Sequence, residues 1–183
     1  IGVDAAPVPE GLTDSKALSA RRREALVDPV REWALASAVG YASPQEIDDW
    51  GIIAALRLAG RRALAEVAGH GLVPGGVLLD GSHDWLSTPD DLFGAIDGPD
   101  DPFGVDLPVQ MQVKADASCA VVAAASVLAK VERDHLMQEL EDPGYGWASN
   151  KGYGSAAHTR AIVELGVSEH HRRSWKMPTQ ATK

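Results

Sequence analysis

Val109-Gln110-Met111-Gln112-Val113-Lys114-Ala115-Asp116 alternates apolar and polar side chains and then ends on a carboxylate. A period of two marks a strand with one face against a core. From Ala117 to about Leu140 the pattern becomes helical, apolar in its first half and charged in its second. Upstream, Gly75-Gly76-Val77-Leu78-Leu79-Asp80-Gly81 is a short apolar run between turn signals. It predicts a buried strand, again ending in a carboxylate. Strands that alternate with helices predict an α/β sheet.

Working outward, Ser43-Pro44-Gln45-Glu46 is a capping box with proline in the first helical turn. It opens a short helix. A second follows from about Ile52 to Val67, with Leu56, Ala59, Ala63 and Val67 predicted on one face. Ser19 caps an earlier helix, and Asp28-Pro29 either kinks it or restarts it. Trp33 to Tyr41 alternates large and small residues and predicts a strand. Ser155 to Leu165 predicts a helix closed by Gly166. No internal repeat of 20–50 residues is present.

The composition bounds the answer further. Of 183 residues, 45% are hydrophobic, which excludes wholesale disorder. The longest apolar run, Cys119 to Ala129, is interrupted by Ser126 and falls short of the roughly 18 residues of a membrane helix. The first residues carry no basic segment ahead of an apolar one, so no signal peptide is expected, and the missing initial Met reads as part of a longer product. One cysteine, Cys119, excludes an intrachain disulfide and suits a reducing compartment. The net charge is −9, but Asp84 to Asp106 holds seven Asp with no Lys, Arg or Glu. Set those aside and −9 becomes −2. The acidity belongs mostly to one loop, expected to be solvated.

Three aspartates fall at predicted strand ends: Asp4 after Ile1-Gly2-Val3, Asp80, and Asp116. Neighbouring strands lie about 5 Å apart, so the three can converge on one spot. Carboxylates that close repel, and Mg²⁺ or Mn²⁺ with oxygen ligands is the cheapest compensation. Each aspartate alone also fits a turn or helix cap. Asp14-Ser15-Lys16 offers a hydroxyl and an ammonium to a phosphate, or an ordinary capping segment. Asn150-Lys151-Gly152-Tyr153-Gly154 lets backbone approach a ligand while the Tyr153 ring stacks, or forms a plain turn. His170-His171-Arg172-Arg173-Ser174-Trp175-Lys176 suits phosphate contact with stacking, or a solvated tail. His158 is expected on a helix surface. No His and Cys spacing fits zinc.

Taken in order, Gly2-Val3-Asp4, Leu12-Thr13-Asp14-Ser15-Lys16, Ala42 to Asp48, Leu79-Asp80-Gly81, Val113 to Asp116, Ala123 to Asp134, Pro143 to Gly146, Lys151 to Gly154 and His171 to Trp175 form a series. That series resembles bacterial type 2 ribonuclease H, ribonuclease HII, over nearly the whole chain. The Ala123 to Lys130 segment with Arg133-Asp134, and Lys151-Gly152-Tyr153-Gly154, carry most of its specificity. The resemblance implies a ribonuclease H-like mixed sheet flanked by helices. Residues 1–140 would form the catalytic core, with 84–106 as an acidic insertion. Residues 141–183 would form a C-terminal helical substrate-binding part, continuous with that core.

It further implies Mn²⁺- or Mg²⁺-dependent cleavage of the RNA strand of RNA–DNA hybrids. Incision 5′ of single ribonucleotides in duplex DNA is implied as well, by a cytoplasmic monomer without a membrane partner. The family's carboxylates map onto Asp4, Asp80 and Asp116, as metal ligands and catalytic groups. In the two-metal scheme Asp4 bridges, Asp80 binds one ion and Asp116 stands at the rim as ligand or proton acceptor. Tyr153 maps onto the family tyrosine that stacks at the sugar beside the ribonucleotide. Ser15, Lys16, Arg133, Arg172 and Arg173 are expected against the substrate backbone.

One departure stands out. The family has Glu after its first Asp and then a Gly-Arg-Gly turn, whereas here Ala5 follows Asp4 and no Gly-Arg-Gly occurs. A four-residue strand running straight into a proline-rich turn lacks a hairpin partner, so a stretch is expected to be missing between Asp4 and Ala5. Two other readings compete. A duplex-binding module with a degraded site predicts hybrid binding without cleavage. A metal-dependent phosphohydrolase with Asp80 as nucleophile predicts a phospho-aspartate.

Overall fold

A computed structural model describes residues 2–3, 7–88 and 99–178. Strand β1 (Gly2–Val3) pairs antiparallel with β2 (Ala34–Ala36), and β3 (Val77–Asp80) pairs parallel with β4 (Val109–Gln112). Both kinds of pairing occur among the described residues, in two two-stranded sheets. The helices are α1 (Ala20–Trp33), α2 (Pro44–Gly69), α3 (Ala115–Ser118), α4 (Ala120–Glu139), α5 (Trp147–Asn150) and α6 (Ala156–Leu165). None is long and apolar enough to cross a membrane.

Local chemistry sets the helix ends. The Ser19 Oγ accepts from the Arg22 N–H at 3.3 Å and starts α1. The helix then runs through Pro29 without restarting. At α2 both halves of the capping box form: Ser43 Oγ accepts from the Glu46 N–H at 3.1 Å, and Glu46 Oε2 from the Ser43 N–H at 2.7 Å. Arg62 bonds the same carboxylate and holds its pKa down to about 2. Seven residues on, Gly51 takes φ 79° and ψ 164°, which divides α2 at the predicted junction between two helices. A residue with a Cβ meets a steric penalty there.

Two apolar clusters hold these pieces together. Val30 and Trp33 of α1 pack on Ala124 and Leu128 of α4. Met137 at the far end of α4 packs with Tyr145, Trp147 and Ala161. Each fully buried large side chain contributes about 1.5–3 kcal/mol. Asp142 fixes the loop that delivers the two aromatics, accepting from the N–H groups of Gly144, Tyr145 and Trp147 at 2.9, 2.6 and 2.7 Å.

Several expectations are corrected. The strand expected over 33–41 is confined to Ala34–Ala36, because Trp33 is buried as the last residue of α1. The long helix expected from Ala117 breaks at Cys119, whose φ −123° and ψ 116° are extended. On α2 the buried positions are Ala55, Leu58 and Arg61, whereas Leu56 is exposed. The acidic stretch is not simply solvated, because both described ends are tied down. Leu86 is buried, and Arg61, also buried, donates to the carbonyls of Leu86 at 3.3 Å and Val105 at 2.5 Å and pairs with Asp106. Burying a guanidinium is tolerated when its donors are satisfied this way.

Gly40 marks the tightest approach in the core. A Cβ there would run into the carbonyl oxygen of Ala59 and stand 2.9 Å from the amide nitrogen of Ala63. Both obstacles are α2 backbone, which no rotamer change relieves. Gly40→Ala is expected to cost about 3 kcal/mol or more, read as a lowered urea midpoint with unchanged slope.

Candidate active site

The parallel pairing of β3 with β4 runs in register from Val77 opposite Val109 to Asp80 opposite Gln112. Both strands therefore finish at the same edge. Beyond β4 the chain turns through Lys114, held at φ 58° and ψ 38° in the left-handed region. A non-glycine residue there costs about 1–2 kcal/mol. The turn brings Ala115 back, so that its N–H donates to Asp80 Oδ1 at 2.9 Å. Asp80 is exposed, while Asp116, one residue further, is buried.

Asp116 sits in a field of like charge. Desolvation raises its pKa first, and the charges of Asp80 and Asp14 raise it further. Lys16 opposes the trend, its Nζ 4.0 Å from Asp116 Oδ2 with the side chain 82% exposed. Asp14 also accepts from the Lys16 N–H at 2.8 Å, which fixes the turn carrying that lysine. Oxygen donors with uncompensated charge fit a hard divalent cation. Among the described residues no three such groups stand close enough to hold one by themselves. Asp4, the expected third ligand, lies outside the described residues, as does the junction with Ala5.

Ser15 is buried, with its Oγ 2.7 Å from Ser126 Oγ on α4. Its hydroxyl therefore joins the loop to the helix. Arg23 reinforces the joint by donating to the carbonyls of Ser15 at 2.9 Å and Leu18 at 2.6 Å. It also lies 3.9 Å from Asp134. Ser126, Lys130 and Asp134 recur every four residues and so share one face of α4. Lys130 pairs with Asp134 and stands 5.5 Å over the Tyr153 ring.

Tyr153 is 63% exposed, yet its backbone is fully engaged. Its N–H donates to Asn150 O at 2.8 Å, and its carbonyl accepts from Ser155 N–H at 2.8 Å. Arg133 and Arg172 lie in the same electrostatic neighbourhood. Desolvation lowers the Arg133 pKa, Asp134 and Tyr153 pull it back up, and Arg172 lowers it again. Arg172 stacks on Trp175 with its guanidinium carbon 3.6 Å from the ring centroid. Arg173 is held differently. Its backbone N–H donates to Asp48 Oδ2 at 2.8 Å, and the side chain is exposed.

The predicted residues thus fall into two groups along one face of α4. Asp80, Asp116 and Lys16 meet at the strand ends, while Tyr153, Arg133 and Arg172 gather near the middle and end of the helix. In the sequence Asp14 reads only as part of the Asp14-Ser15-Lys16 segment, and Lys130 carries no role of its own. The four-residue spacing of Ser126, Lys130 and Asp134 was the available signal for the lysine. His158, expected on a surface, is buried.

Comparisons with known proteins identify the family. A sequence model of the family described as Ribonuclease HII matches residues 9–178. Ribonuclease HII of Streptomyces griseus is 47% identical over 172 residues, covering 91% of this chain and 64% of its own. That of Streptomyces avermitilis is 44% identical over 169 residues, with the same shares. That of Paracoccus denitrificans is 44% identical over 178 residues, covering 94% and 73%. The chain therefore spans 64% of the length of the Streptomyces relatives. The crystal structure of ribonuclease H2 from Pyrococcus horikoshii OT3 matches with a TM-score of 0.56 at 22% identity, covering 91% of this chain and 77% of that one. That likeness shows the fold, the ribonuclease H-like α/β arrangement expected from sequence. With the matched model running through 170 of its residues, from 9 to 178, the chain belongs to the ribonuclease HII family.

Proposed function

We propose that the protein is an endonuclease that cleaves the RNA strand of RNA–DNA hybrids and incises 5′ of single ribonucleotides in duplex DNA. The observation that carries this reading is the meeting of Asp80 and Asp116 at one strand edge, joined by the Lys130–Asp134 face of α4 to the exposed ring of Tyr153. Asp80 and Asp116, with Asp4, would hold Mn²⁺ or Mg²⁺ as two-ion phosphodiesterases do. When bound, such ions supply charge neutralisation and an activated water. Lys16 balances the carboxylates and meets a phosphate. Tyr153 stacks on the sugar beside the ribonucleotide, and Arg133 and Arg172 hold the backbone, with Ser15 bracing the loop and Arg173 at the rim. Products carry 5′-phosphate and 3′-hydroxyl ends. The enzyme acts as a cytoplasmic monomer, with residues 141–183 forming the substrate-binding part.

The test is incubation of the full chain with a DNA duplex containing one ribonucleotide, with and without Mn²⁺. Metal-dependent incision on the 5′ side is expected. No cut in any RNA-containing duplex with either ion overturns the proposal. With nothing missing between Asp4 and Ala5 the family's Glu is absent, and that case favours a second reading: duplex binding at a site that no longer cleaves. Tight hybrid binding without products selects it.

A further inference from the structure

The clearest polar feature outside the carboxylate site is a pair of buried histidines. His158 Nε2 and His171 Nε2 face each other at 3.2 Å. His158 Nδ1 lies 3.0 Å from the carbonyl oxygen of Tyr153. His171 Nδ1 lies 3.1 Å from the backbone nitrogen of Ser168 and 2.8 Å from its Oγ. The end groups fix every proton between them. A carbonyl accepts, so His158 Nδ1 carries hydrogen and donates. A backbone N–H donates, so His171 Nδ1 is bare. His171 Nε2 then carries the second proton and donates to the bare Nε2 of His158. Both rings are neutral, and the chain of donors runs from Ser168 through His171 and His158 to Tyr153.

We infer that His158 and His171 are positioning residues, a neutral imidazole pair that fixes the backbone of Tyr153 and so sets where its exposed ring meets the sugar. This rests on the substrate role proposed above for Tyr153. The surroundings suit neutrality. The Tyr145 ring meets His171 edge-on at 4.7 Å and His158 at 6.0 Å. Trp147 lies 5.9 Å from His171. The cleft beside His171 is lined by Asp48, Glu169, His170 and Arg173. Burial lowers the His171 pKa, and the neighbouring His158 and His170 lower it further. A proton added to His158 would set N–H against N–H across the 3.2 Å gap, and one added to His171 Nδ1 would face the Ser168 N–H, so either opens the chain. A folded-state pKa below the ordinary 6.5 stabilises the fold above about pH 6.5. That contribution is lost as pH falls through the lowered value.

Two measurements decide the inference. In ¹⁵N-labelled full chain, long-range ¹H–¹⁵N spectra at pH 8 report ring tautomers without nucleic acid. The Nδ1–H form of His158 and the Nε2–H form of His171 are expected. The opposite tautomers overturn the pair. Second, His171→Phe and His171→Gln are compared in native and Tyr153→Ala backgrounds on a duplex with one ribonucleotide. His171→Phe should raise KM about 5- to 10-fold, the scale of one hydrogen bond, with kcat moved less. Gln, which keeps a donor toward His158, should recover most of it. Neither should add to Tyr153→Ala. Equal losses in both backgrounds show a structural role and overturn the inference. An unchanged KM for Tyr153→Ala itself overturns the substrate role of Tyr153, while the tautomers still judge the pair.

Discussion

Asp80→Asn is expected to abolish the proposed cleavage and to leave the fold intact. The amide side-chain oxygen still accepts from the Ala115 N–H, the 2.9 Å bond that returns the chain after β4. Strand pairing from Val77 to Asp80 uses backbone groups and does not change. What is lost is a full negative charge at an exposed position facing the site. A charged ligand that balances a divalent ion and the attacked phosphate is worth roughly 10³-fold or more, about 4 kcal/mol of transition-state stabilisation. The readout is incision of a ribonucleotide-containing duplex in Mn²⁺, with circular dichroism as the fold control. Activity within tenfold of the native chain would remove Asp80 from the chemistry.

Asp116→Asn separates stability from activity in opposite directions. The native carboxylate is buried beside Asp80 and Asp14, and its pKa is raised by desolvation and by both charges. A raised carboxylate pKa means the ionised form costs stability above the ordinary value of 3.8 and costs nothing well below it. Neutral Asn removes that cost at pH 7, so the metal-free variant is expected to melt higher. A gain of about 1 kcal/mol corresponds to about 2–4 °C for a chain this size. Near pH 3 the gain vanishes. The proposed cleavage is expected to be lost at every pH. The native chain gains stability on adding Mn²⁺ and the variant gains less, because one ligand is gone. A lower melting temperature in metal-free Asp116→Asn would show that the carboxylate is structurally satisfied rather than held for a cation.

Much of this site could be read before any coordinates. Asp80 and Asp116 announced themselves because one closes an apolar run and the other an alternating one, and the parallel pair β3–β4 ends at one edge. The capping box of Ser43 and Glu46 and the glycine junction at residue 51 are local signals, and both formed as expected. Failures came where long-range packing overrode local pattern. Trp33 alternates like a strand residue, but burial against α4 claims it for a helix. The burial of Arg61 is not legible in the sequence, because nothing in its neighbourhood reveals that the carbonyls of Leu86 and Val105 await it. The histidine pair was invisible for the same reason. His158 and His171 are thirteen residues apart and meet through the packing of Tyr145 and Trp147.

The backbone reversal at Gly51 reaches further than α2 itself. It aims the preceding turns so that Asp48 grips the backbone N–H groups of Arg173 and Ser174 at 2.8 and 2.9 Å, across 125 residues of sequence. The stacked Arg172–Trp175 unit brackets those two amides. Where the cationic tail comes to rest is therefore decided in the first third of the chain. Any side chain at Gly51 would strain the φ of 79° and disturb that mooring without touching a single basic side chain.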